Sequence, residues 1–75
     1  MNFAVVIEPA STGFPACVPD VPGCVAAGET EGDVTRLIRE ALHFHLEELR
    51  RDGDLIPQPA SRIGYVEIPH TDPVA

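Results

Sequence analysis

The sequence predicts an α+β domain: a three-stranded antiparallel sheet, one packed amphipathic helix and a further C-terminal strand, in the order β-β-β-α-β. Three observations predict it. Short apolar segments alternate with Pro- and Gly-containing turns up to Gly28, as in a meander of hairpins. A single stripe of period 3.6 then runs from Val34 to Leu49, the mark of one amphipathic helix. A last β-branched and aromatic segment, Arg62 to Ile68, follows it.

Strand one is Phe3 to Glu8, ended by Pro9. Ser11, Thr12 and Gly13 suit a hairpin connection. Phe14 to Val18 reads as strand two. Pro15 and Pro19 cannot donate to a ladder, which predicts an edge strand, or confines Pro15 to the strand start or a bulge. Asp20 to Gly23 is a turn in which Val21 is held extended before Pro22 and Gly23 is free to take a positive φ. Cys24 to Ala27 is a short third strand stopped by Gly28.

Thr30 is an N-cap, and Asp33 stands three residues on, where a capping box places an acid. Val34, Leu37, Ile38, Ala41, Leu42, Leu46 and Leu49 form the apolar stripe. Arg50 and Arg51 suit the negative end of the helix dipole, and Gly53 is the stop signal. Leu55 to Pro59 is an extended connector. Residues 1–68 are expected to form one domain and 69–75 a loose tail. One helix covers one face of a sheet, yet strand one is apolar on both. Phe3, Val5 and Ile7 fall on one face, and Ala4 and Val6 on the other. The second face therefore predicts burial against another surface.

The 75 residues carry 12 acidic and 5 basic side chains, a formal charge of −7. Such a surface repels nucleic acid and attracts basic proteins. Met1 leads into a strand pattern without a basic, apolar leader, and no apolar run is long enough to span a bilayer. A cytoplasmic protein is expected, with Cys17 and Cys24 kept as thiols. Small size makes self-association an expected source of stability.

The order Pro19-Asp20-Val21-Pro22-Gly23-Cys24, then Gly28-Glu29-Thr30, Glu40-Ala41, Leu46, Asp52-Gly53 and Ile56-Pro57-Gln58-Pro59 resembles the HicB-type antitoxins of toxin–antitoxin pairs. The likeness covers about residues 3 to 60, and departs from the family pattern at Glu31 and Gly32. It implies a partial ribonuclease H-like fold. It also implies a partner, a small basic HicA-type toxin that resembles a double-stranded-RNA-binding domain and cleaves mRNA with a histidine. Many members carry a second, DNA-binding domain. A chain ending at Ala75 leaves no room for one, so DNA binding is not expected.

The function expected is therefore that of an antitoxin that binds and neutralises such a toxin, with no enzymatic activity, cofactor or metal. An orphan oligomerising adaptor is one alternative, and a nucleic-acid-acting protein with a remnant ribonuclease fold another. Metal-dependent nuclease chemistry needs several clustered acids, and strand one offers only Glu8. His43 and His45, two residues apart on a helix, point to different sides and cannot share a metal. His43 is expected to pair with Glu47. Asp20, Glu29, Glu31, Phe44 and Glu47 are the candidate partner-binding residues. Ala4, Val6, Ile63, Tyr65, Val66 and Ile68 are the candidate self-association residues, paired across a two-fold axis.

Overall fold

The computed structural model describes residues 1–70. Three strands, β1 (Val6–Ile7), β2 (Phe14–Cys17) and β3 (Val25–Gly28), form an antiparallel sheet in the order β1-β2-β3. One helix, α1 (Glu31–Arg51), follows. The register pairs Val6 with Cys17 and Cys17 with Val25, so these three side chains form one row across the sheet. Ile7, Ala16 and Ala26 form the next row, which by pleat alternation faces the other way.

The second row faces the helix. Ala16, Val18, Val21, Cys24, Val34 and Ile38 are the buried core, flanked by half-buried Phe3, Val5, Ile7, Phe14, Ala41 and Leu42. The helix lies mainly over β3 and β2. At about 1.5 Å per residue its 21 residues are about 31 Å long, against about 13 Å for a four-residue strand, so its C-terminal half overhangs the sheet.

The helix starts and stops where the sequence directs. Thr30 Oγ1 accepts the Asp33 N–H at 3.0 Å, which satisfies a free donor of the first turn. At the other end the Gly53 N–H bonds Arg50 O at 3.1 Å and the Asp54 N–H bonds Leu49 O at 2.9 Å. These two bonds make a Schellman stop.

Four expectations need correction. Strand one is Val6–Ile7 rather than Phe3 to Glu8, because beyond Cys17 the strand it pairs with enters the turn at Val18. Strand two is the central strand, not an edge, and of the two placements expected for Pro15 the strand start is the one found. Pro15 is tolerated there because its carbonyl accepts from the Glu8 N–H at 3.0 Å, at the end of β1. Its missing donor falls where the β1–β2 ladder is already finishing. The third strand is shifted by one, to Val25–Gly28, because Cys24 is used in a turn.

The final strand expected over Arg62 to Ile68 does not form. The segment is exposed and has no ladder partner among the described residues, and a strand exists only by pairing. The expected tail lies at 69–75; Pro69 and His70 are exposed, and 71–75 fall outside the described residues.

Candidate partner-binding site

The Pro-Asp-Val-Pro-Gly-Cys run folds as two successive β-turns. The Val21 N–H bonds Val18 O at 3.0 Å, and the Cys24 N–H bonds Val21 O at 3.1 Å. Each turn has a proline at its second position, where a fixed φ is already correct. Gly23 takes φ +86° at the third position of the second turn, a conformation that costs a side chain dearly. A bond from the Val18 N–H to Cys24 O at 3.1 Å closes the loop. Val18, Val21 and Cys24 point into the core, which leaves Asp20 facing outward.

Asp20 is committed to the chain's own connector. Its Oδ2 accepts the Ala60 N–H at 2.9 Å and the Ser61 N–H at 2.8 Å, and its Oδ1 accepts the Ser61 hydroxyl at 2.7 Å. The backbone N–H of Ser61, then that of Ala60, then the Ser61 hydroxyl hold its carboxyl below the usual carboxylate range. Ile56, Pro57 and Pro59 are half-buried along the stretch that this clamp ties back. Sequence reasoning did not find the clamp. Asp and Ser are ordinary capping residues, and nothing in their spacing of 41 residues signals a contact.

The topology separates the acidic candidates. Asp20 stands at the end of the sheet where β2 turns into β3. Glu29 and Glu31 stand exposed at the other end, where β3 enters α1. The sharp entry there depends on Gly28, since a Cβ at that position would lie 2.7 Å from the backbone nitrogen of Val34. Glu47 bonds Arg50 at 2.8 Å rather than pairing with His43. Arg36 and Glu40 stand 3.6 Å apart. Both ion pairs are solvent-exposed and worth about 0.2–1 kcal/mol each. Phe44 is 61% exposed on the outer side of the helix.

Two apolar surfaces stay open. On the face away from the helix, Val6, Pro15, Cys17, Val25 and Ala27 line a shallow depression of about 460 Å³. On the helix side, Phe3, Val5, Ile7, Ile38, Arg39 and Leu42 line a cleft of about 380 Å³ beside β1. Of the self-association candidates, Val6 lies on the open face, Ala4 is half-buried, and Ile63, Tyr65, Val66 and Ile68 are exposed beyond the clamp. Cys17 and Cys24 are free thiols. Among the described residues no three His, Cys, Asp or Glu side chains gather to hold a metal ion, and no helix is long and apolar enough to cross a membrane.

A family model described as the HicB-like antitoxin of bacterial toxin–antitoxin systems matches residues 3–71. An uncharacterized 14.9 kDa protein in the rep-hol intergenic region of Haemophilus phage HP1 is 33% identical over 69 residues, covering 92% of this chain and 52% of that protein. The chain thus spans about half the length of that relative. The UPF0150 protein Ta0767 of Thermoplasma acidophilum is 30% identical over 59 residues, covering 77% of this chain and 86% of that protein. Among solved structures, a chain of a HicA3 and HicB3 toxin–antitoxin complex matches with a TM-score of 0.68 and 32% identity, over 80% of this chain and 70% of that one.

Proposed function

This chain belongs to the HicB-like antitoxin family of bacterial toxin–antitoxin systems, and we propose that it binds and neutralises a small basic HicA-type toxin. The observation that carries this reading is the likeness, in sequence and in fold, to a chain of a HicA3 and HicB3 complex. The formal charge of −7 supports it. An acidic partner draws a basic protein into encounter and offers carboxylates where that protein would otherwise bind phosphates. The role is inhibition by binding, performed in the cytoplasm, and asks no chemistry of this chain. Residues 1–68 are the unit that would act.

Glu29 and Glu31, unpaired by any Arg in the described residues, are the carboxylates most available to such a partner. Phe44 offers an apolar anchor on the helix, with Glu47 one turn beyond it. Asp20 would contribute through the connector it holds in place, because its oxygens are already used.

The test is co-purification of the tagged chain with a HicA-type toxin, followed by titration of the purified pair. Stoichiometric binding at micromolar concentration or below, with growth rescued in cells expressing the toxin, is the expected result. Glu29→Lys with Glu31→Lys should weaken it and flatten its salt dependence. No binding at micromolar concentration would sink the reading and leave an adaptor without a toxin.

A further inference from the structure

We propose that Ser61 is a phosphoryl-acceptor site, and that a phosphate on its hydroxyl unfastens the connector from the sheet. The Asp20 clamp is a single polar joint. The N–H groups of Ala60 and Ser61 donate to its Oδ2 and the Ser61 hydroxyl donates to its Oδ1. Among the described residues no other side-chain hydrogen bond ties residues 55–61 to the sheet or the helix. One hydroxyl therefore stands at the joint between the folded body and the exposed arm, residues 62–68.

Ser61 is also the hydroxyl best placed for a modifying enzyme. Such an enzyme must reach the side chain and close on the backbone at either side, which favours exposed chain outside helix and sheet. Thr30 caps α1, and Thr35 donates to Glu31 O at 2.8 Å within it. Ser11 and Thr12 lie in the tight turn closed by the bonds between Ala10 and Gly13. Of the Ser and Thr side chains among the described residues, Ser61 alone lies in irregular chain with both neighbours, Ala60 and Arg62, exposed.

In the transfer, Ser61 Oγ forms a bond to the γ-phosphorus of a nucleoside triphosphate. The bond from that phosphorus to the β–γ bridging oxygen breaks, and nucleoside diphosphate leaves. The hydroxyl proton passes to the base of the protein kinase that catalyses the step. Oγ then has no proton to give Asp20 Oδ1, and the bond of 2.7 Å is lost. A group carrying a charge of about −1.5 to −2 stands beside the Asp20 carboxylate instead, and like charges so close repel. The phosphate oxygens also compete with Asp20 for the Ser61 N–H. Arg62, next in the chain and in no ion pair among the described residues, offers the phosphate a partner in the released state.

The experiment has two parts. The full chain, phosphorylated at Ser61 by total synthesis, is compared with the unmodified chain by amide hydrogen exchange. Exchange at Ala60 should accelerate about tenfold or more, the scale set by the loss of one such hydrogen bond, while α1 keeps its protection. Ser61→Ala, which keeps both N–H donors, should accelerate it less. With Asp20→Ala in place the phosphate should add nothing, because the clamp is already open. Unchanged exchange at Ala60, an acceleration by phosphate that persists without Asp20, or lost protection throughout α1 would each overturn the unfastening. In the second part, the chain recovered from the cells that encode it is mapped by mass spectrometry in exponential growth and in starvation. A phosphoryl group on the peptide that holds Ser61 is expected in one of these states. Its absence from both, or its presence on other hydroxyls alone, would overturn the site. Neither part uses the toxin, so the outcome is separate from that of the binding test above.

Discussion

Asp20 grips Ser61 twice, through the backbone N–H at 2.8 Å and through the hydroxyl at 2.7 Å, across 41 residues of chain. A turn residue in the sheet thereby sets where the connector after the helix comes to rest. Asp20→Ala should release that connector. Amide hydrogen exchange at Ala60 and Ser61 should accelerate while α1 keeps its protection. Unchanged exchange at those two amides would count against the clamp.

The same bonds give a pH dependence. The folded carboxyl of Asp20 lies below its ordinary value of 3.8. Its contribution is therefore present above about 3.8 and is lost as pH falls through the lower folded pKa. A carboxyl-carbon NMR titration should show Asp20 titrating below the ordinary aspartate value of 3.8. The connector amides should lose protection over the same acid range.

Gly28→Ala should destabilise the fold at the sheet-to-helix junction. The new methyl would stand 2.7 Å from the Val34 nitrogen and 3.1 Å from the Asp33 Cβ, and backbone must shift to admit it. Overpacking of this kind costs about 1–3 kcal/mol. In a domain of this size each kcal/mol lowers the melting temperature by about 4–8 °C. Thermal denaturation followed at the helical signal checks it, and an unchanged midpoint would mean the helix start is looser than its contacts indicate.

Thr30→Ala removes the only side-chain acceptor offered to the Asp33 N–H in the described structure. A loss of about 1 kcal/mol in urea denaturation is expected. Thr30→Asp should keep most of it, since a carboxylate caps the same donor and suits the positive end of the helix dipole.

The two thiols should react in sequence. Cys17 is half-buried on the open sheet face, whereas Cys24 is 3% exposed and its burial pushes the thiol pKa up. A disulfide-exchange reagent under native conditions should modify one thiol per chain quickly, identified as Cys17 by peptide mapping. The second should follow only with unfolding. Equal rates would contradict the burial of Cys24.

What was legible in the sequence was local. Thr30, Gly53 and the Val34-to-Leu49 stripe define α1 to within a residue, because caps and periodicity act within one or two turns of chain. Pro22 and Gly23 announced their turn for the same reason. Illegible were the relations that depend on what a segment meets. Pro15 left open an edge strand or a place at the strand start, and only the pairing decides: it stands at the start of a central strand, opposite the end of a short β1. Arg62 to Ile68 has the composition of a strand, but composition cannot say whether a partner strand is within reach. Of the candidate site residues, Asp20 was singled out for its charge, and its hydrogen bonds to residues 60 and 61 had no sequence signal.

The clamp also orders events in time. Every strand pairing here joins neighbours in sequence, and the helix packs back on the strand that precedes it. Such a topology closes small loops first and folds fast. The bonds from Asp20 to residues 40 and 41 positions away close the longest loop among the side-chain hydrogen bonds of the described residues. On a ribosome, the sheet and helix would be complete by residue 53, before the arm has emerged. The connector at Ala60 and Ser61 would then meet a finished body and be fastened to it.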